Sequence, residues 1–168
     1  MLKNFLRFGF LMVCVLLVAG CGSVRHASDF RTDLAAEIKA QVGKVTNDTG
    51  KSFNIDIEQM FADALDSRLR KYKLLGAGAS GKTAVVNAKI IDYAKGNAFK
   101  RWLCPGFGTT VLSVYCEVRD KASGKLLGAI EARRTVSMGG LYSINAWKSI
   151  FYGVAADVAK EFRKNIAR

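Results

Sequence analysis

One histidine and one proline occur in the 168 residues, and 14 Asp and Glu face 26 Lys and Arg. Each shortage excludes something. The histidine, His26, stands in "SVRHASDF" near the N-terminus without fixed partners, so no Ser-His-Asp or Cys-His catalytic set can be assembled around it. Of the four cysteines, Cys104 and Cys116 belong to the body of the chain. Neither has a Cys or His neighbour at zinc spacing, which removes metal ligation. The acids are scattered, with no two spaced to converge as a general acid and base. The composition gives no catalytic set, no metal and no cofactor, and the expectation is a protein that is not an enzyme.

One motif argues the other way. "GAGASGKT", residues 76–83, fits the phosphate-cradling pattern G-x-x-x-x-G-K-[ST] through Gly76, Gly81, Lys82 and Thr83. That loop works only when a buried strand enters it and a helix leaves it, pointing its N-terminus at the anion. Here the order is reversed. "NIDIEQMFADALDSRLRKYKLL" sets Ile57, Met60, Phe61, Ala64, Leu65, Leu69 and Tyr72 at helical spacing, with Asn54 or Asp56 as cap, and runs straight into Gly76. "TAVVNAKIIDYA", rich in β-branched residues, follows as a strand. A helix that stops in glycines before a strand holds no nucleotide, and Lys82 reads as a solvated loop residue.

The N-terminus carries Lys3 and Arg7, then the apolar run "FGFLMVCVLLVAG", then Cys21. A charged start followed by a short apolar stretch describes an export signal, too short and wrongly flanked for a permanent span. "LVAGC", residues 17–21, resembles the lipobox of bacterial lipoproteins, which implies lipidation of the Cys21 thiol and cleavage just before it. Gly22 stands where lipoproteins kept at the inner membrane often have Asp, so the same resemblance implies the outer membrane, facing the periplasm. The expected organisation is a signal over residues 1–20, a lipidated tether over 21–34 and one domain over 35–168. An acyl anchor of this kind supplies more than the two lipid signals that stable attachment needs.

Without the signal, 24 basic residues remain against 14 acids, spread along the chain with no basic block. That pattern suits anionic lipid headgroups or cell-wall groups and does not suit nucleic acid.

The remaining elements follow from periodicity. "AAEIKAQVGKV" alternates Ile38, Ala40 and Val42 against Glu37, Lys39 and Gln41, a half-buried strand, with a short helix starting near Ser28 as the alternative. "TVLSVYCEV" and "LLGAIEARRTVS" are two strands joined by the tight turn "DKASGK". "GNAFKRWLCPGFGTT", residues 96–110, reads as an extended or looped stretch. In the last segment Trp147, Phe151, Val154, Val158, Phe162 and Ile166 form one helical stripe. The order β-α-β-β-β-α predicts an α+β fold: a mainly antiparallel sheet of about four strands with two helices on one face.

The oxidising periplasm favours a bridge between Cys104 and Cys116, provided residues 96–104 fold back across the sheet. Failing that, Cys116 is a small buried residue on the face of Leu112, Val114 and Val118. Arg101, Trp102, Arg133 and Arg134 are the candidates for a basic and aromatic contact surface.

"KRWLCPGFGTTVLSVYCEVRDKASGKLLG" is similar to a family of bacterial envelope lipoproteins defined by a domain of unknown function. Arg101, Gly106, Gly108, Asp120, Gly124 and Lys125 occupy the family's places. The stretch "VGKVTNDTGKSFNIDIEQMFADALDSRLRKYKLL" looks like the strand-helix opening of curli-secretion-type lipoproteins. The resemblance implies a fold and an address: an outer-membrane-anchored binding or scaffolding module with an unknown envelope partner, or a subunit of a secretion or conjugation apparatus.

Overall fold

The computed structural model describes residues 24–30, 38–78, 82–104, 107–137 and 144–166. The signal segment, Cys21, Gly81, Pro105 and Gly106 lie outside the described residues. Five strands, β1 (Val24–Phe30), β2 (Lys39–Asn47), β3 (Thr83–Ala94), β4 (Thr110–Asp120) and β5 (Leu126–Val136), form one sheet in the order β1-β5-β4-β3-β2. Among the described residues three helices accompany it: α1 (Ile57–Lys71), α2 (Ala98–Leu103) and α3 (Ala146–Ile166). The α+β reading and the mainly antiparallel sheet hold. The one parallel pair is β2 with β3, because α1 crosses between them and returns the chain to its starting end.

Helix α1 forms where its sequence demands. The Asp56 carboxylate accepts the backbone N–H of Gln59 at 2.8 Å, Glu58 stands in the first turn, and Arg68, Arg70 and Lys71 close the last. Its stripe of Ile57, Phe61, Ala64, Leu65 and Leu69 is buried against the sheet and α3. From α3, Phe151, Val154, Val158 and Phe162 join Val86, Ile90, Leu112, Val114, Cys116 and Ile130 of the strands in one buried core. Burying each large apolar side chain contributes on the order of 2–3 kcal/mol. One face of the sheet is thus dry, and the other carries pairs such as Lys89 and Glu117 at 3.6 Å and Arg133 and Asp92 at 3.1 Å.

Two expectations are corrected. The tether over 21–34 is not free chain throughout: Val24–Phe30 is an edge strand, in antiparallel register from Val24 opposite Arg134 to Phe30 opposite Gly128. Its polar sequence shows no alternation, because an edge strand is held chiefly by backbone hydrogen bonds. Gly128 is required there, since a Cβ at that position would lie 2.6 Å from the Phe30 ring. The stretch 96–110 is not simply looped either, for it contains α2.

Gly76 has a φ of +121° after the end of α1, and Lys82 is exposed ahead of β3. The segment 76–83 therefore joins the helix side to a strand start, the reverse of a phosphate loop.

Candidate contact surface

The connection from β3 to β4 is built as a closed stem with an exposed tip. At the stem, Asn97 caps α2 by accepting the N–H of Lys100 at 3.1 Å, and its own N–H donates to the Gly108 carbonyl at 2.8 Å. The Arg101 side chain turns inward, donating from Nη1 to the Gly108 carbonyl at 2.6 Å and to Thr110 Oγ1 at 2.8 Å. The Thr110 hydroxyl donates in turn to the Lys95 carbonyl at 2.8 Å. Gly96 and Gly108 both take left-handed φ, +67° and +68°, and a Cβ on Gly96 would sit 2.7 Å from Arg101 Nη1. Only glycine leaves room for the arginine. Burial lowers the Arg101 pKa from its ordinary value.

This stem holds four apolar side chains out in solvent: Phe99 is 66% exposed, Trp102 63%, Leu103 64% and Phe107 70%. The Phe99 and Trp102 rings lie 5.9 Å apart. Trp147, in the first turn of α3, meets the stem through Lys95, whose Nζ lies 4.7 Å from its ring centroid, and has Lys148 Nζ at 5.0 Å. Soluble surfaces scatter large apolar residues singly, so four within nine residues mark a surface that meets something.

Of the four residues expected to form a contact surface, only Trp102 faces outward on this platform. Arg101 is 3% exposed and serves the stem. Arg133 and Arg134, adjacent on β5, point to opposite faces of the sheet, as the pleat requires. Arg133 bridges across the strands to Asp92, and Arg134 reaches Asp157 on α3 with both ends of its guanidinium, at 2.6 and 2.8 Å. The four do not converge. Phe99, Leu103 and Phe107 were missed; the signal for two of them was Phe99, Trp102 and Leu103 at helical spacing behind Asn97.

Cys104 and Cys116 are free thiols, which corrects the expected bridge. Cys104 is exposed at the C-terminal end of α2, whereas Cys116 is fully buried in mid-strand, opposite Ala88 and Ile130. Residues 96–104 close on their own stem and do not fold back over the sheet. Cys116 takes the other place foreseen for it, on the core face with Leu112, Val114 and Val118.

The turn "DKASGK" explains other family positions. Asp120 Oδ1 accepts the N–H groups of Ala122 and Ser123, and Gly124, at φ +70°, donates its N–H to the Asp120 carbonyl at 2.8 Å. These residues specify a hairpin. Among the described residues, no group of three or more His, Cys, Asp or Glu could hold a metal ion, and no helix is long and apolar enough to cross a membrane.

Among solved structures, the fold is similar to the PelC dodecamer from Paraburkholderia phytofirmans, with a TM-score of 0.58 and 19% identity over 88% of this chain and 99% of that one. A single-residue variant of the same PelC gives 0.52 and 20% over 82% and 93%. A DUF330 protein from Xanthomonas campestris gives 0.45 and 9% over 74% and 80%. No curated protein matches the sequence. Residues 28–140, from within β1 to beyond β5, match the domain of unknown function DUF4410, and the chain belongs to that family.

Proposed function

We propose that the protein is a lipid-anchored module of the bacterial outer membrane, facing the periplasm, that binds or scaffolds an envelope partner and catalyses nothing. The observation that carries this reading is the join between "LVAGC" and β1. Only two residues, Gly22 and Ser23, separate Cys21 from a strand paired into the sheet. An acyl chain on Cys21 then holds the body of the domain against the bilayer, where a long tether would let it roam.

In Cys21→Ala the covalent attachment point for lipid is gone. The wild-type N-terminal peptide is expected to carry the lipid mass and the protein to stay with outer membranes through a carbonate wash, whereas the variant remains an uncut precursor or is released. Retention of the variant in washed outer membranes sinks the reading.

A second reading, a subunit of a secretion or export apparatus, is favoured by the fold likeness to a dodecameric protein across nearly that whole chain. A single-sheet domain with β1 and β2 as its edge strands suits repeated head-to-tail contacts that close into a ring. Native mass spectrometry of the lipidated chain in detergent is expected to show one large assembly of fixed stoichiometry. Monomer alone at micromolar concentration argues against it.

A further inference from the structure

We propose that the platform of Phe99, Trp102, Leu103 and Phe107, with its flanking lysines, is a membrane-docking surface that enters the anionic leaflet holding the lipid anchor; this rests on the anchored reading above.

Three independent features of the molecule converge on it. The first is position. One row across the sheet runs Val24, Arg134, Leu112, Tyr93 through the paired registers of β1, β5, β4 and β3. The chain before Val24 and the chain after Tyr93 leave this row at the same end of the sheet. Cys21 is three residues before Val24, a reach of at most about 10 Å, and α2 begins five residues after Tyr93. With strands about 4.8 Å apart, β1 and β3 are separated by roughly 14 Å along that row. The lipid attachment point and the apolar tip therefore emerge side by side, and a bilayer that takes one is in reach of the other.

The second is charge. No acid occurs between Asp92 and Glu117, nor between Glu131 and Asp157, and these two stretches supply the tip, its stem and the start of α3. They contain Lys95, Lys100 and Lys148, all exposed. Of the acids near this end, Asp92 and Asp157 are paired with Arg133 and Arg134, and Asp48, Asp56 and Glu58 belong to the flank formed by the end of β2 and the start of α1. An aromatic and aliphatic tip in a stretch that carries lysines and no acid suits the boundary between acyl chains and anionic headgroups, where Trp sits well and each nearby lysine adds attraction.

The third is rigidity. The tip is presented by a stem in which Arg101, Thr110, Asn97 and two left-handed glycines are all engaged, so the apolar side chains are exposed by construction. A second copy of the chain is the other occupant such a surface could have. The lysines and the neighbouring anchor favour lipid.

The test uses the full chain, lipidated and reconstituted in vesicles of phosphatidylethanolamine and phosphatidylglycerol. The chain has two tryptophans, so Trp147→Phe leaves Trp102 as the only reporter. Trp102 emission is expected to shift to the blue and to lose most of its intensity when the vesicles carry brominated acyl chains. The additional changes Phe99→Ser, Leu103→Ser and Phe107→Ser, all at exposed positions, are expected to leave the thermal melt in place and abolish the quenching. Trp102 emission untouched by brominated lipid overturns the proposal. So does shielding of Trp102 from aqueous acrylamide without lipid quenching, which gives the surface to a second copy. The mass of the N-terminal peptide tests the anchor separately. If Cys21 proves unlipidated, the anchored reading fails alone, and quenching of the same chain mixed with the same vesicles still decides for or against docking.

Discussion

Arg134→Met is expected to destabilise the fold by about 3–5 kcal/mol, and Asp157→Ala by less, roughly 2–3 kcal/mol. The two residues form one bidentate pair, but they do not share the same access to water. The Asp157 side chain, on the sheet-facing side of α3, is 4% exposed, and that of Arg134 is 32% exposed. Removing the arginine strands a carboxylate that cannot reach solvent. Removing the carboxylate leaves a guanidinium that can turn its end outward on a long apolar stem. Gly153 holds the passage open, since a Cβ there would stand 2.9 Å from Arg134 Cδ. The hydrogen bonds that Arg134 donates to Asp157 raise the arginine's pKa above its ordinary value, so it stays charged throughout. Urea melts of the two single variants and of Arg134→Met with Asp157→Leu check the argument. The double variant should recover most of the loss, because a matched apolar pair strands neither charge. Equal costs for the two single variants, or a cost below about 1 kcal/mol for Arg134→Met, would show that the pair is not desolvated.

That pair also shows where the sequence was legible and where it was not. Adjacent arginines on a strand invite a basic patch, yet the pleat sends Arg133 to the open face and Arg134 beneath a helix that begins ten residues after β5 ends. Local periodicity carried α1, β3, β4, β5 and α3, because each shows its buried face at a fixed spacing. It carried the Asp56 cap and the Asp120 turn, because those bonds close within four residues.

What it missed depends on partners distant in sequence or on backbone alone. β1 shows no apolar alternation in its sequence and gains its place by pairing with the edge of β5. The parallel placing of β2 includes a bulge at Gly43 and Lys44, where the Asn87 carboxamide accepts the Lys44 N–H at 2.9 Å from 43 residues away. Arg101 sits among exposed aromatics in sequence and reads as a contact. Its partners, the Gly108 carbonyl and Thr110 hydroxyl, are supplied only when the chain has turned back. In the same way the tip of Phe99, Trp102, Leu103 and Phe107 has no meaning until the stem exists to hold it in solvent.

Stability is expected to stay level up to about pH 9 and then to fall steeply toward pH 12, through two buried neutral acids. Burial raises Cys116 from its ordinary 9.0 to about 12, and Tyr93 from 10.0 to about 12. The folded chain holds both protons more tightly than the unfolded chain does. Their contribution is therefore complete below the unfolded values and is lost as pH rises through the window up to the folded ones. By pH 12 the loss from Cys116 is on the order of 3–4 kcal/mol, with a somewhat smaller one from Tyr93, which together rival the whole stability of a domain this size. The Tyr93 hydroxyl is buried without a hydrogen-bond partner among the described residues, and the Tyr93 ring packs on those of Phe53 and Phe151, with centroids 5.1 and 5.3 Å apart. Tyr93→Phe should therefore stabilise the protein by about 1–2 kcal/mol at neutral pH, by removing an unsatisfied group, and should flatten the upper part of the alkaline fall. Cys116→Ala should flatten its lower part, at the cost of a small cavity. Thiol labelling supplies the independent check: in the native chain at pH 8 Cys104 reacts at once, and Cys116 reacts only as fast as the protein unfolds. Rapid native labelling of Cys116, or an alkaline transition unmoved by either substitution, would show that these two groups do not set the limit.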